Sequence, residues 1–159
     1  MRHGDAAAPA RQGGFTYIAV LTALAIFGIG LAALGTMWSA AAQRDKEAEL
    51  LLVGAAYQRA IGDYYLSSPG NPRRFPATLD ELVEDRRFVG TRRHLRKLYG
   101  DPVNHGGDWE LVRAADGGIA GVRSLSEAAT LRRQAVQLGA LTVVGQRYAD
   151  WRFVYLPPQ

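Results

Sequence analysis

A chain of 159 residues with a formal net charge of +4 and no cysteine has room for one small core once any long helical segment is set aside. The missing thiols exclude disulfide staples, thiolate nucleophiles and cysteine metal ligands, so stability in an oxidising compartment must come from packing or from a metal. The positive excess admits acidic lipid, nucleic acid or an acidic protein as partner and does not choose among them.

The chain opens on a short polar segment in which Arg2, His3 and Arg11 outweigh Asp5. From Gly14 to Ala42 there is no charged residue, and then Arg44, Asp45, Lys46 and Glu47 follow in a row. A bilayer core of about 30 Å needs about 20 apolar residues at 1.5 Å rise each, which this run supplies. A core helix would keep one polar face, whereas here every face from Phe15 to Trp38 is apolar or small. A secretory signal has a shorter apolar core ending in a small-residue cleavage site. The run therefore predicts one retained membrane-crossing helix over about 15–40. The positive-inside rule places its N-terminus in the cytoplasm and the bulk of the chain across the membrane.

Leu50, Val53, Tyr57, Ile61 and Tyr64 recur at helical spacing, with Arg44, Glu47, Gln58, Arg59 and Asp63 on other faces, which predicts an amphipathic continuation of the same helix. Gly54 and Gly62 weaken it but permit close approach of other backbone. The Ser67-Ser68-Pro69-Gly70-Asn71-Pro72 cluster ends it, giving a helix over 15–66. Thr78 with Glu81 reads as a capping box opening a two-turn helix. Arg86 to Lys97 reads as an arginine-dense loop with room for a helical turn, and Tyr99–Pro102 and Asn104–Asp108 read as turns. Trp109–Arg113 and Ile119–Ser124 alternate around an Asp116-Gly117-Gly118 hairpin turn, and Asp150–Leu156 forms a third strand. Ala128–Leu141 carries helical spacing interrupted by Gly139 and gives no single reading. The expected class is α+β: a long N-terminal spine helix packed on a small antiparallel sheet of about three strands. The expected domains are a leader over 1–14, the helix over 15–66 and a globular head over 67–159.

At Gly14-Phe15-Thr16 the pattern becomes more specific. A basic leader ending in Gly, followed by Phe, Thr and an unbroken apolar helix, resembles the class III leader of type IV pilins and type II secretion pseudopilins. The resemblance implies cleavage between Gly14 and Phe15 by prepilin peptidase and N-methylation of Phe15. A residue without Cβ before the scissile bond lets backbone enter a protease cleft. Most members carry Glu at the position of Ala19, where it pairs with a neighbouring N-terminus; Ala19 lacks both the pairing and the cost of an acid in the bilayer. The proline often found near the position of Thr36 is also missing. The head, from Phe75-Pro76 through the Arg92-Arg93-His94-Leu95-Arg96 block to Val122–Ser126, is similar to a pseudopilin-like group of secretion loci. No acidic calcium loop follows Ser124, so no cofactor is expected.

Other constellations have weaker chemistry behind them. His94 and His105 lie near Asp101, Asn104 and Asp108, but without the ligand spacing of a zinc site. Ser124 or Ser126 with His94 and an Asp has the residue types of a hydrolase triad and no nucleophile-elbow pattern, so no catalysis is expected. Arg86, Arg87, Arg92, Arg93, Arg96 and Lys97 are candidates for tracking a polyanion backbone. The plainer reading pairs them with Glu81, Glu84, Asp85, neighbouring subunits or anionic lipid, since no aromatic stacking platform is interleaved. Ala25, Gly28 and Ala32 offer a small-residue stripe for helix packing. The function expected from the resemblance is a structural pseudopilin subunit in the inner membrane with a periplasmic head. Its partners would be prepilin peptidase, other pseudopilins, the inner-membrane assembly platform and membrane lipid. The alternative is a minor type IV pilin that binds DNA through its basic head; an enzyme tethered by a signal anchor has little support.

Overall fold

The computed structural model describes residues 13–132, 134–139 and 141–158. Most of the leader, with Arg2, His3 and Arg11, lies outside the described residues. Helix α1 covers Gly13–Leu66. Its last turn closes where the prolines begin: the Ser67 N–H and hydroxyl both donate to the Asp63 carbonyl, at 3.0 and 2.5 Å. Pro69 and Pro72 beyond have no N–H with which to prolong the ladder. The chain divides into two compact units, Met1–Ala42 and Gln43–Gln159. The second takes in the amphipathic part of α1 together with everything that follows it.

In that second unit Leu50, Val53, Tyr57, Ile61 and Tyr64 are all buried, joined by Leu51 and Ala60. One residue assigned to the polar face is placed differently. Glu47 is 1% exposed, and its Oε1 accepts from the Leu131 and Arg132 N–H groups at 3.1 and 3.2 Å. A buried carboxylate persists because two main-chain donors satisfy it. One helical turn earlier, Gln43 Nε2 donates to the Ala129 carbonyl and the Tyr148 hydroxyl. Helix α1 thereby fixes the 129–132 segment by side-chain to main-chain bonds.

Helix α2, Asp80–Val83, is a single turn rather than two, and the capping box does not form. Leu79 precedes it without a side-chain cap, and Glu81 instead accepts from the Tyr64 hydroxyl at 2.6 Å and the Ala77 N–H at 3.2 Å. The one carboxylate oxygen takes both donors, so Glu81 ties α2 to α1 at Tyr64 as well as to the main chain at Ala77.

Three strands, β1 (Glu110–Arg113), β2 (Ile119–Arg123) and β5 (Arg152–Val154), form an antiparallel sheet in the order β1-β2-β5. Leu111 faces Val122 in the first pairing, and Val122 faces Phe153 in the second. The turn between β1 and β2 uses Gly117 at φ +84, a left-handed conformation that glycine adopts without steric cost. Gly121 is required for another reason: a Cβ there would meet the Phe153 carbonyl and Val154 Cα across the β2–β5 pair. Ile119, Val122, Phe153, Trp109 and Trp151 pack on the buried face of α1.

The 128–141 segment, whose spacing looked helical, contributes instead to a second sheet. Strands β3 (Val136–Leu138) and β4 (Leu141–Val143) form an antiparallel hairpin with Val136 opposite Val143 and Leu138 opposite Leu141. The apolar residues there recur every second position, and Gly139 at φ +63 ends β3. The architecture is α+β, one long helix with antiparallel sheets of three and two strands.

Candidate functional site

Two surfaces remain uncommitted to the core, one in each compact unit. In the first unit, every described side chain from Thr16 to Ala32 is exposed, as are Met37 and Trp38. Ile29 is 72% exposed and Trp38 77%. Consecutive residues all around α1 are open, so no rotation of the helix hides them. This is one helix near the N-terminus that is long and apolar enough to cross a membrane. So large an uncovered apolar surface requires lipid or protein to cover it. Gly14 and Phe15 lie in the first turns of α1, and Ala19 lies in the exposed segment. Thr22 turns its hydroxyl back to the Ile18 carbonyl at 2.8 Å, so that its polar group is satisfied within the helix. A Cβ added at Gly28 or Gly30 would meet nothing within 4 Å.

In the second unit the arginine block is a loop without a helical turn, drawn together by a bridge between Asp85 and Arg92. Its cations fall into two sets. Arg86 pairs with Glu84 at 3.0 Å in the open, and Arg87 pairs with Asp85 at 2.7 Å with the carboxylate fully buried. Glu81, the third expected partner, is taken by Tyr64. Arg92, Arg93, Arg96 and Lys97 are exposed and form no ion pair with a carboxylate among the described residues, Arg93 acting on Glu84 only through space. Aromatic rings do accompany the block, contrary to expectation: Arg92 lies over Phe88 at 5.2 Å and Lys97 over Tyr99 at 5.2 Å. Tyr99 lies beyond the block in sequence and meets Lys97 only through the fold of the loop.

Arg87 is the centre of a network that joins the end of α1 to the loop. Its guidinium carbon sits 3.4 Å from the Tyr64 ring centroid. It donates from Nε and Nη2 to both Asp85 oxygens, from Nη2 to the Tyr64 carbonyl and from Nη1 to Ser68 Oγ. His94 Nε2 lies 3.0 Å from the same carboxylate and its ring meets Tyr64 edge-on. Burial pushes the Asp85 carboxyl up, but the hydrogen bonds from Arg87 and His94 outweigh it and hold the group well below the usual carboxylate range. Burial and the bond to Glu81 push the Tyr64 phenol well above its ordinary value. Since the folded-state pKa of Asp85 is depressed, its stabilisation is complete above the unfolded carboxylate pKa of about 3.9 and is lost as pH falls through that value toward the folded one. Unfolding midpoints of the detergent-solubilised protein between pH 6 and pH 3 should therefore fall less steeply in Asp85→Asn than in the parent chain.

The other candidate chemistries are separated by the fold. Ser124 donates to Asp101 Oδ2 at 2.6 Å and accepts from the Ser126 N–H, whereas His94 is committed to Asp85. Asp101 also caps the turn at Pro102–Asn104, accepting from the Val103 N–H at 3.1 Å. The serine and the histidine thus bond to different aspartates, Asp101 and Asp85. His105, at φ +53, is an exposed turn residue. Among the described residues no group of three or more His, Asp or Glu side chains converges as a metal site. Against protein-family models, curated proteins and solved structures, the chain matches none.

Proposed function

We propose that this chain is a pseudopilin-like structural subunit of a type II secretion or related pilus-like filament, anchored by α1 and processed between Gly14 and Phe15. The reading rests above all on the helix Gly13–Leu66, whose described side chains from Thr16 to Ala32 are exposed and apolar or small and which starts on a Gly-Phe-Thr leader motif. An antiparallel sheet on the amphipathic part of that helix is consistent with it. The mechanism is mechanical: lipid covers the apolar segment while the subunit waits in the inner membrane with its head in the periplasm. On assembly, neighbouring subunits replace lipid along the same surface, an exchange of one apolar environment for another that packing decides. Ala19 makes the helix cheaper to hold in the bilayer and removes an acid that would otherwise pair on docking. Such a subunit enters a filament through helix packing and head contacts alone.

The test is intact-mass measurement of the protein extracted from membranes of cells with and without prepilin peptidase. Cells with the enzyme should yield a product starting at N-methylated Phe15, and Gly14→Val should leave the precursor uncut. An uncut chain in both strains, or a soluble product beginning after Ala42, would refute the proposal.

A further inference from the structure

Among the described residues, four cations of the loop between Asp85 and Tyr99 form no ion pair with a carboxylate, and the loop also raises an apolar side chain out of the surface. Val89 is fully exposed, and Leu98 at the far end of the block is 42% exposed. The carboxylates that contact the loop and its flanks are engaged elsewhere: Glu81 by Tyr64, Glu84 by Arg86, Asp85 by Arg87 and His94, and Asp101 by Ser124 and the Val103 N–H. The Asp85 network fixes the root of the loop, so its cations are presented on an anchored framework. We infer that Arg92, Arg93, Arg96 and Lys97, with Val89 and Leu98, form a docking surface for an acidic protein segment that also carries apolar side chains.

Three observations favour that occupant. Interfaces between proteins are enriched in arginine and depend on apolar anchors surrounded by polar contacts, which is the mixture found here. A nucleic acid would use the cations, but the Phe88 and Tyr99 faces already lie under Arg92 and Lys97, and a phosphate backbone has nothing to offer Val89. The loop is tied to α1 beyond its charge-free segment: the Tyr99 carbonyl accepts from the Tyr57 hydroxyl, about 21 Å along α1 from Gln43 at 1.5 Å rise per residue, and Arg87 packs on Tyr64 further on. The inference goes beyond the filament reading and does not depend on processing.

Fluorescence anisotropy on the full chain in detergent micelles tests it with three labelled probes: a polyglutamate peptide, the same peptide with two leucines among the glutamates, and a short DNA duplex. The leucine-containing peptide should bind best, and more weakly as salt rises. Arg93→Ala with Arg96→Ala should weaken both peptides about fivefold. Val89→Ser should remove the advantage of the leucines, about threefold, and leave polyglutamate binding unchanged. Arg147→Ala, a cation paired with Glu127 outside the loop, should change neither. Tighter binding of the duplex than of either peptide would overturn the proposal in favour of nucleic acid. No peptide binding at low salt, or binding indifferent to the Arg93 and Arg96 substitutions, would also overturn it.

Discussion

Asp85→Ala is expected to destabilise the folded protein by about 3–5 kcal/mol, the cost of removing one partner from a buried ion pair. The carboxylate is fully buried and receives Arg87 through Nε, Nη2 and the main-chain N–H, with His94 as a fourth neighbour. Without it, the Arg87 guanidinium stays packed on Tyr64 with only the Tyr64 carbonyl and Ser68 Oγ as acceptors. Since small domains are stable by only about 5–15 kcal/mol, the loss should appear as a large fall in the urea midpoint, followed by the fluorescence of buried Trp109 and Trp151. Glu84→Ala, which breaks the exposed pair with Arg86, is the control and should leave the midpoint unchanged. Equal midpoints for the two variants would mean that the buried network does not hold the loop to α1.

This network also marks where residue patterns cease to be informative. The helix to Leu66, the buried positions Leu50, Val53, Tyr57, Ile61 and Tyr64, and strands β1, β2 and β5 were all legible, because each follows from a local period or a local breaker. What escaped depends on residues far apart in the chain. Glu47 looks like a surface acid until the Leu131 and Arg132 N–H groups arrive from 84 and 85 residues away. The Thr78–Glu81 box is a sound local signal, overruled by a tyrosine on another helix. The β3–β4 hairpin was missed because Gly139, which takes φ +63 at the end of β3, reads in sequence as a break in helical spacing rather than as a turn between two short strands. Within the arginine block, composition marked the surface, but which cations the core uses and which stay free was decided by partners such as Tyr64 and Ser68.

Phe153→Ala should cost about 3–5 kcal/mol as a large-to-small change in the core, and the change should be coupled to a glycine on α1. Gly54 and Gly62 read as sites of close backbone approach; the structure places aromatic rings there instead. A Cβ at Gly54 would lie 2.5 Å from the Phe153 ring, and one at Gly62 would lie 2.7 Å from Tyr155. Phe153 is fully buried and edge-on to Trp109 with ring centroids 6.2 Å apart, so moving its ring disturbs the core around it. Two effects of opposite sign therefore meet in Gly54→Ala. Helix propensity favours alanine by about 1 kcal/mol, while overpacking costs about 1–3 kcal/mol, so the single substitution should destabilise. In the Phe153→Ala background the clash is gone and only propensity remains, so Gly54→Ala should there be neutral or stabilising. A double-mutant cycle in urea should give a coupling of about 1–3 kcal/mol. Additive effects would mean that the helix and β5 are not held at ring-to-backbone distance, and would remove the packing on which the placement of the sheet against α1 depends.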